Sequence, residues 1–167
     1  AERLNSLTAS LLTINTWNSS GQALDLSDFD IIAVVRKTIL SFEGQCSKKK
    51  ITMDVTYGDK AYSVYADQVK IQQVLYNLID NAIKFSEANS TIYVKVTDKN
   101  DKIFVSVKDT GCGIPKDAIT KIWHRFYKLD TSRGKDKTGS GLGLSIVKEI
   151  ITSHNENINV ISTEGVG

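Results

Sequence analysis

One proline, Pro115, and two cysteines, Cys46 and Cys112, are all that this 167-residue chain holds of the residues that stiffen or staple small folds. The cysteines stand at no metal-ligand or redox spacing. They make neither a disulfide framework nor a zinc site, so stability has to come from an apolar core, and a reducing cytoplasm suits the chain. No apolar run approaches the ~20 residues of a membrane span, and no signal peptide opens the sequence. The expectation is a soluble segment without direct membrane contact, which can still belong to a membrane-anchored parent. Charge of one sign is also scarce: the formal net charge is +2, so nothing global draws the chain to nucleic acid or to an anionic membrane. Anion binding has to be local. Internal repeats and low-complexity tracts are absent. What is present is 41% apolar content, enough for one real core.

Residues 4–14 place Leu4, Leu7, Leu11 and Ile14 at three-four spacing, which predicts a helix lying on its own domain or ending a longer bundle helix. Asn18, Ser19, Ser20 and Gly21 then mark a linker. Asp30 is placed to cap a helix that turns Ile31, Ile32, Val35, Thr38, Ile39 and Phe42 inward and ends near Gln45, with Lys48, Lys49 and Lys50 as a solvated turn. Alternation predicts a strand over residues 51–55 and a second around 62–65. It also predicts a hairpin that sets Ile92, Val94 and Val96 beside Ile103, Val105 and Val107. Residues 114–140 are basic and glycine-containing, and read as a mobile loop around a short helix at 119–127. A helix within GLGLSIVKEIITSH buries Leu144, Val147 and Ile151 with help from Ile146 and Ile150, and a last strand at 158–161 runs into STEGVG. The fold class is α+β, a two-layer sandwich of one mixed sheet with helices on one face.

Residues 71–86, IQQVLYNLIDNAIKFS, organise the chemistry. As a helix they put Lys70, Gln73, Asn77, Asn81 and Lys84 on one stripe and Ile71, Val74, Leu75, Leu78, Ile79, Ala82 and Ile83 on the other. Amide oxygens are hard ligands that add no negative charge beside phosphates, so the stripe suits Mg²⁺-bound polyphosphate as well as a solvated surface. In VKDTGCGIP, Asp109 leaves a strand flanked by Gly111 and Gly113, where a carboxylate can accept a hydrogen bond from an exocyclic amine such as adenine's, or simply form a turn. An aspartic protease would need a second such tripeptide, and one copy is present. TGSGLGL opens a helix whose first amides are an anion site in waiting. It is neither a dinucleotide fingerprint, lacking glycine at Leu144, nor a P-loop, since Ser140 and Gly141 stand where Lys and Ser or Thr belong.

Together NLIDNAIKFS, DTGCGIP, IWHRFYKLD and GSGLGL resemble, in order and spacing, the N, G1, F and G2 boxes of sensor histidine kinases. The likeness to their ATP-binding catalytic domain, of the Bergerat type, runs from Leu24 to the end. It implies the tail of a dimerisation and phosphotransfer helix at 1–17, a linker at 18–24, and a catalytic domain at 25–167 with an ATP lid at 114–140. That domain would be cut short within a third glycine box at STEGVG. The resemblance implies ATP and Mg²⁺ as cofactors. Asn81 would be the metal ligand, with Asn77, Lys84 and Arg125 as the catalytic groups that orient and neutralise phosphate. Phe85 would lie near the nucleoside, Asp109 would take the adenine amine, and Gly111, Gly113 and Ile114 would shape the pocket. Tyr127 would pack on base or lid, Gly139, Gly141 and Gly143 would form the hinge and phosphate loop with Ser140 among the nucleotide-binding residues, and Leu142 and Leu144 would contribute amides or apolar walls. Implied partners are the parent's own dimerisation and phosphoacceptor domain, a response regulator, and a second copy in a homodimer.

Two departures stand out. His124 occupies a position that is acidic in the family, and no histidine here is followed by an acidic residue and a proline, so the chain lacks the phosphoacceptor. His154 reads as an ordinary surface histidine. Two other functions stay open: an ATPase of the gyrase and heat-shock chaperone kind, which commonly needs a carboxylate where Asn77 stands, and a non-catalytic interaction module.

Overall fold

The computed structural model describes residues 23–129 and 140–167. The helix expected at 4–14, most of the linker, Gly139 and the basic stretch 130–137 lie outside the described residues.

The first element is a strand with no counterpart in the sequence reading, β1 (Leu26–Asp30). Its end caps α1 (Ile31–Leu40): the Asp30 carboxylate accepts from the Ile32 N–H at 2.9 Å, as its position before an apolar stripe predicts. The helix stops five residues earlier than Gln45 because Ser41 and Phe42 leave it. The Ser41 hydroxyl donates to the Thr38 carbonyl, and Phe42, at φ −102° and ψ 1°, turns to bury its ring completely. A separate helix, α2 (Glu43–Lys49), follows. Lys49 is not merely solvated, since its ammonium donates to the carbonyls of Ile83 at 2.7 Å and Lys84 at 3.1 Å. These belong to the last turn of the central helix, where a cation complements the dipole.

β2 (Thr52–Thr56) and β3 (Ser63–Asp67) are not partners. β3 pairs antiparallel with β1, Leu26 facing Asp67 and Asp30 facing Ser63. Beyond it come the central helix α3 (Gln68–Phe85), β4 (Thr91–Lys99) and β5 (Lys102–Lys108). β4 pairs parallel with β2 and antiparallel with β5, so the three-stranded sheet is mixed, with β3 and α3 serving as the crossover that a parallel pair requires. Asn100 and Asp101, at φ 51° and 58°, close the expected hairpin with the two left-handed residues such turns demand.

The helix α4 (Gly143–Ser153) buries Ser145, Ile146, Val147 and Ile150, whereas Leu144 and Ile151 are only half-buried. The helix expected at 119–127 is a single 3₁₀ turn, Lys121–Trp123, ended where Phe126 takes φ 64° and sends its N–H to the Gly141 carbonyl at 2.9 Å. Residues 158–161 join no ladder among the described residues. Their apolar alternation finds no backbone partner, with Ile158 packing on the α4 cluster and Ile161 97% exposed. α3 lies between two cores. One flank meets α1, α2 and the sheet through Leu75, Ile79, Ala82 and Ile83; the other meets Leu142, Ile146, Val147 and Ile150 through Val74. That leaves its polar stripe at the seam with α4.

Candidate nucleotide site

Asn77 sits on that seam. Its side-chain nitrogen is buried and, among the described residues, has no hydrogen-bond partner. A buried amide left unpaired costs about 1–3 kcal/mol unless something supplies an acceptor. Facing it is Gly143, where an added Cβ would lie 3.6 Å from the Asn77 Oδ1. Asn81, one turn on, is half-buried on the same stripe. Leu142 precedes α4 as its N-cap and offers no side-chain cap, so the first-turn amides of the helix are not claimed by it. The Ser140 hydroxyl accepts from the Leu142 N–H at 3.4 Å.

The second part of the site is built at the C-terminal end of α3. Asp109 leaves β5, and its Oδ1 accepts from the Gly111 N–H at 2.9 Å; among the described residues Oδ2 takes no hydrogen bond. Gly111 presses on the helix end so closely that a Cβ would lie 2.3 Å from the Phe85 carbonyl oxygen, which leaves no room for any other residue. Phe85 itself is 49% exposed beside this loop. Gly113 is left-handed at φ 68° and packs against Thr163. The Ile114 N–H donates to the Ser162 hydroxyl at 2.9 Å, and the Gly165 N–H to the Cys112 carbonyl at 2.7 Å. STEGVG is therefore stitched onto the Asp109 loop. Local sequence carries no sign of that contact, because the two segments are some fifty residues apart.

The structure thus brings Asn77 and Gly143 to one seam beside Leu142, with Asn81 one turn further along α3, and Phe85, Asp109, Gly111, Gly113 and Ile114 to the adjoining helix end. The two cations expected to meet phosphate point to carboxylates instead. Lys84 pairs with Asp80 one turn before it, and Arg125 with Glu149 of α4 at 3.1 Å. Tyr127 is half-buried and hydrogen-bonds through its backbone to His124, which is exposed. Among the described residues no three His, Cys, Asp or Glu side chains gather to hold a metal ion. Burial raises the Cys46 thiol and keeps it out of thiolate chemistry. His154 is no free surface residue: its Nε2 lies 3.1 Å from the Asp67 backbone nitrogen.

Residues 66–167 match the family model described as histidine kinase-, DNA gyrase B-, and HSP90-like ATPase. Sensor histidine kinase WalK of Bacillus subtilis is 33% identical over 99% of this chain and 27% of its own length. Among solved structures, full-length ShkA in complex with AMPPNP superposes with a TM-score of 0.79 at 26% identity, over 91% of this chain and 31% of that one. Histidine kinase ThkA in complex with response regulator protein TrrA gives 0.76 at 27% identity, over 93% and 42%. The chain spans 22–28% of the length of the curated relatives matched.

Proposed function

Because the chain belongs to the histidine kinase-, DNA gyrase B- and HSP90-like ATPase family, we propose that it is the catalytic domain, over residues 25–167, of a sensor histidine kinase. In that role it binds ATP with Mg²⁺ and presents the γ-phosphate to a histidine of a domain outside this chain. The observation that carries this is the orphaned Asn77 amide set against the uncapped start of α4, about 12 Å along α3 from the loop that holds Asp109. One end suits phosphates, the other a base.

Bound ATP supplies the phosphoryl group and Mg²⁺ supplies charge screening. The chain's own residues position them. Asn81 offers an amide oxygen to the metal, and the Asn77 nitrogen gains the acceptor it lacks. The first amides of α4 face anionic oxygens at the positive end of the helix dipole. Asp109 accepts from the exocyclic amine through Oδ2, and Gly111, Gly113, Ile114 and Phe85 shape the wall around it. Lys84 and Arg125 exchange Asp80 and Glu149 for phosphate oxygens. Tyr127 packs on the base or the lid, and Gly141 and Gly143 belong to the hinge and phosphate loop that leads into α4. Catalysis is then mostly placement and neutralisation of charge.

The partners in this account are the parent's dimerisation and phosphoacceptor domain, a second copy of the parent, and a response regulator, as the ThkA complex suggests. No helix among the described residues is long and apolar enough to cross a membrane, and we place the domain on the cytoplasmic side of an anchored sensor. Incubation with γ-labelled ATP tests the division of labour. The isolated chain should acquire no acid-labile phosphate, and label should appear on a phosphoacceptor domain added in trans. Label on this chain, or sustained ATP hydrolysis without acceptor, would count against the proposal.

A further inference from the structure

His154 directly follows the last residue of α4, and its imidazole is engaged at both nitrogens. The Asp67 backbone nitrogen, 3.1 Å from Nε2, can only donate. Nε2 therefore accepts, the proton resides on Nδ1, and Nδ1 donates to the Ile150 carbonyl at 2.8 Å. Asp67 is 6% exposed and ties the same point to the rest of the fold. One carboxylate oxygen accepts from the Lys70 N–H and caps α3, and the other accepts from the Asp25 N–H, each at 3.1 Å. The end of β3, the start of α3 and the end of α4 thus meet at a single junction.

α3 and α4 run antiparallel, and the far end of the pair is the candidate site. Asp67 meets His154 at one end and Asn77 faces Gly143 at the other, about 15 Å away along each helix. Between these points the buried residues that meet are apolar, Val74 packing with Leu142, Ile146, Val147 and Ile150. Apolar contact is non-directional and does little to forbid a small axial slip, whereas a hydrogen bond weakens steeply with misalignment. We infer that His154 is a positioning residue that sets the axial register of α4 on α3, and so the separation between the first amides of α4 and Asn77. For its consequence on ligand affinity the inference rests on the proposed nucleotide site.

The test compares the unmodified chain with His154→Ala, His154→Gln and Ile150→Val. Glutamine can return an acceptor to the Asp67 N–H, and Ile150→Val loosens the same packing without touching the hydrogen bond. Two readouts are taken below the melting temperature of every variant: the Asn77 side-chain amide resonance without ligand, and ADP affinity by calorimetry with Mg²⁺. His154→Ala should shift the Asn77 resonance and weaken ADP about tenfold, while the other two hold both near the unmodified values. An unmoved Asn77 resonance in His154→Ala, or an equal shift in Ile150→Val, would overturn the inference. If the unmodified chain binds no ADP, the nucleotide site falls, and the Asn77 resonance alone still decides the register claim.

Discussion

Asp109→Ala should weaken ADP binding about ten- to a hundredfold, corresponding to the roughly 1.5–3 kcal/mol of one hydrogen bond to a charged group. The loss should be the same with and without Mg²⁺, because Asp109 is placed to meet the base and not the metal: it sits at the end of α3 beside Phe85 and Gly111, about two turns from Asn77 and one turn beyond Asn81. The carboxylate is preset for this role. The Gly111 N–H holds Oδ1 at 2.9 Å, which orients Oδ2 without using it. Asp109→Asn keeps the Gly111 contact and loses the charge, so its affinity should fall between the two. Calorimetric titration of both variants checks the order, and a loss confined to Mg²⁺-containing buffer would move Asp109 to the metal end of the site.

Gly113→Ala should be the most disruptive single-methyl change in the site region. The backbone at φ 68° costs a side chain about 1–2 kcal/mol, and the added Cβ would lie 2.1 Å from the Thr163 carbonyl oxygen. Residues 162–167 would have to move, releasing the bonds from Ile114 to Ser162 and from Gly165 to Cys112, each worth about 0.5–1.5 kcal/mol. A total of about 2–5 kcal/mol is expected, seen as a lowered midpoint in thermal denaturation followed by circular dichroism. Gly165→Ala is the control. Gly165 is also left-handed, at φ 80°, but a Cβ there meets nothing within 4 Å, so only the conformational cost of about 1–2 kcal/mol should remain. Equal losses in the two variants would mean that the Thr163 contact contributes nothing.

Much of this arrangement is legible in local sequence, and what is not has a common cause. The Asp30 cap, the hairpin around Asn100 and Asp101, and the two-sided character of α3 each depend on residues within a few positions of one another. β1 leaves no local signal because LSDFD alternates nothing, its strand state coming from Ser63–Asp67 far along the chain. Residues 158–161 fail in the opposite sense, alternating without a backbone to pair with. α1 ends early because burial of Phe42 outweighs helical continuation. In the candidate site, local sequence is enough to mark Asn77, Asn81, Asp109 and Gly143 as candidates. It does not show the pairing of Lys84 with Asp80 and of Arg125 with Glu149, nor the clasp of STEGVG on the Asp109 loop. His154 is the sharpest case, because an exposed helix terminus and a hydrogen bond to the start of α3 look alike until the two helices are packed together.

An ATP site with its metal at Asn81 stands or falls on how nucleotide binding responds to Mg²⁺. The direct measurement is calorimetric titration of the unmodified chain and of Asn81→Ala with ADP, with and without Mg²⁺. The account predicts that the unmodified chain binds ADP more tightly with Mg²⁺, and that Asn81→Ala retains the metal-independent part while losing the Mg²⁺ enhancement. A folded, unmodified chain that binds no nucleotide at millimolar concentration, or an Asn81→Ala variant whose Mg²⁺ enhancement is intact, would contradict it.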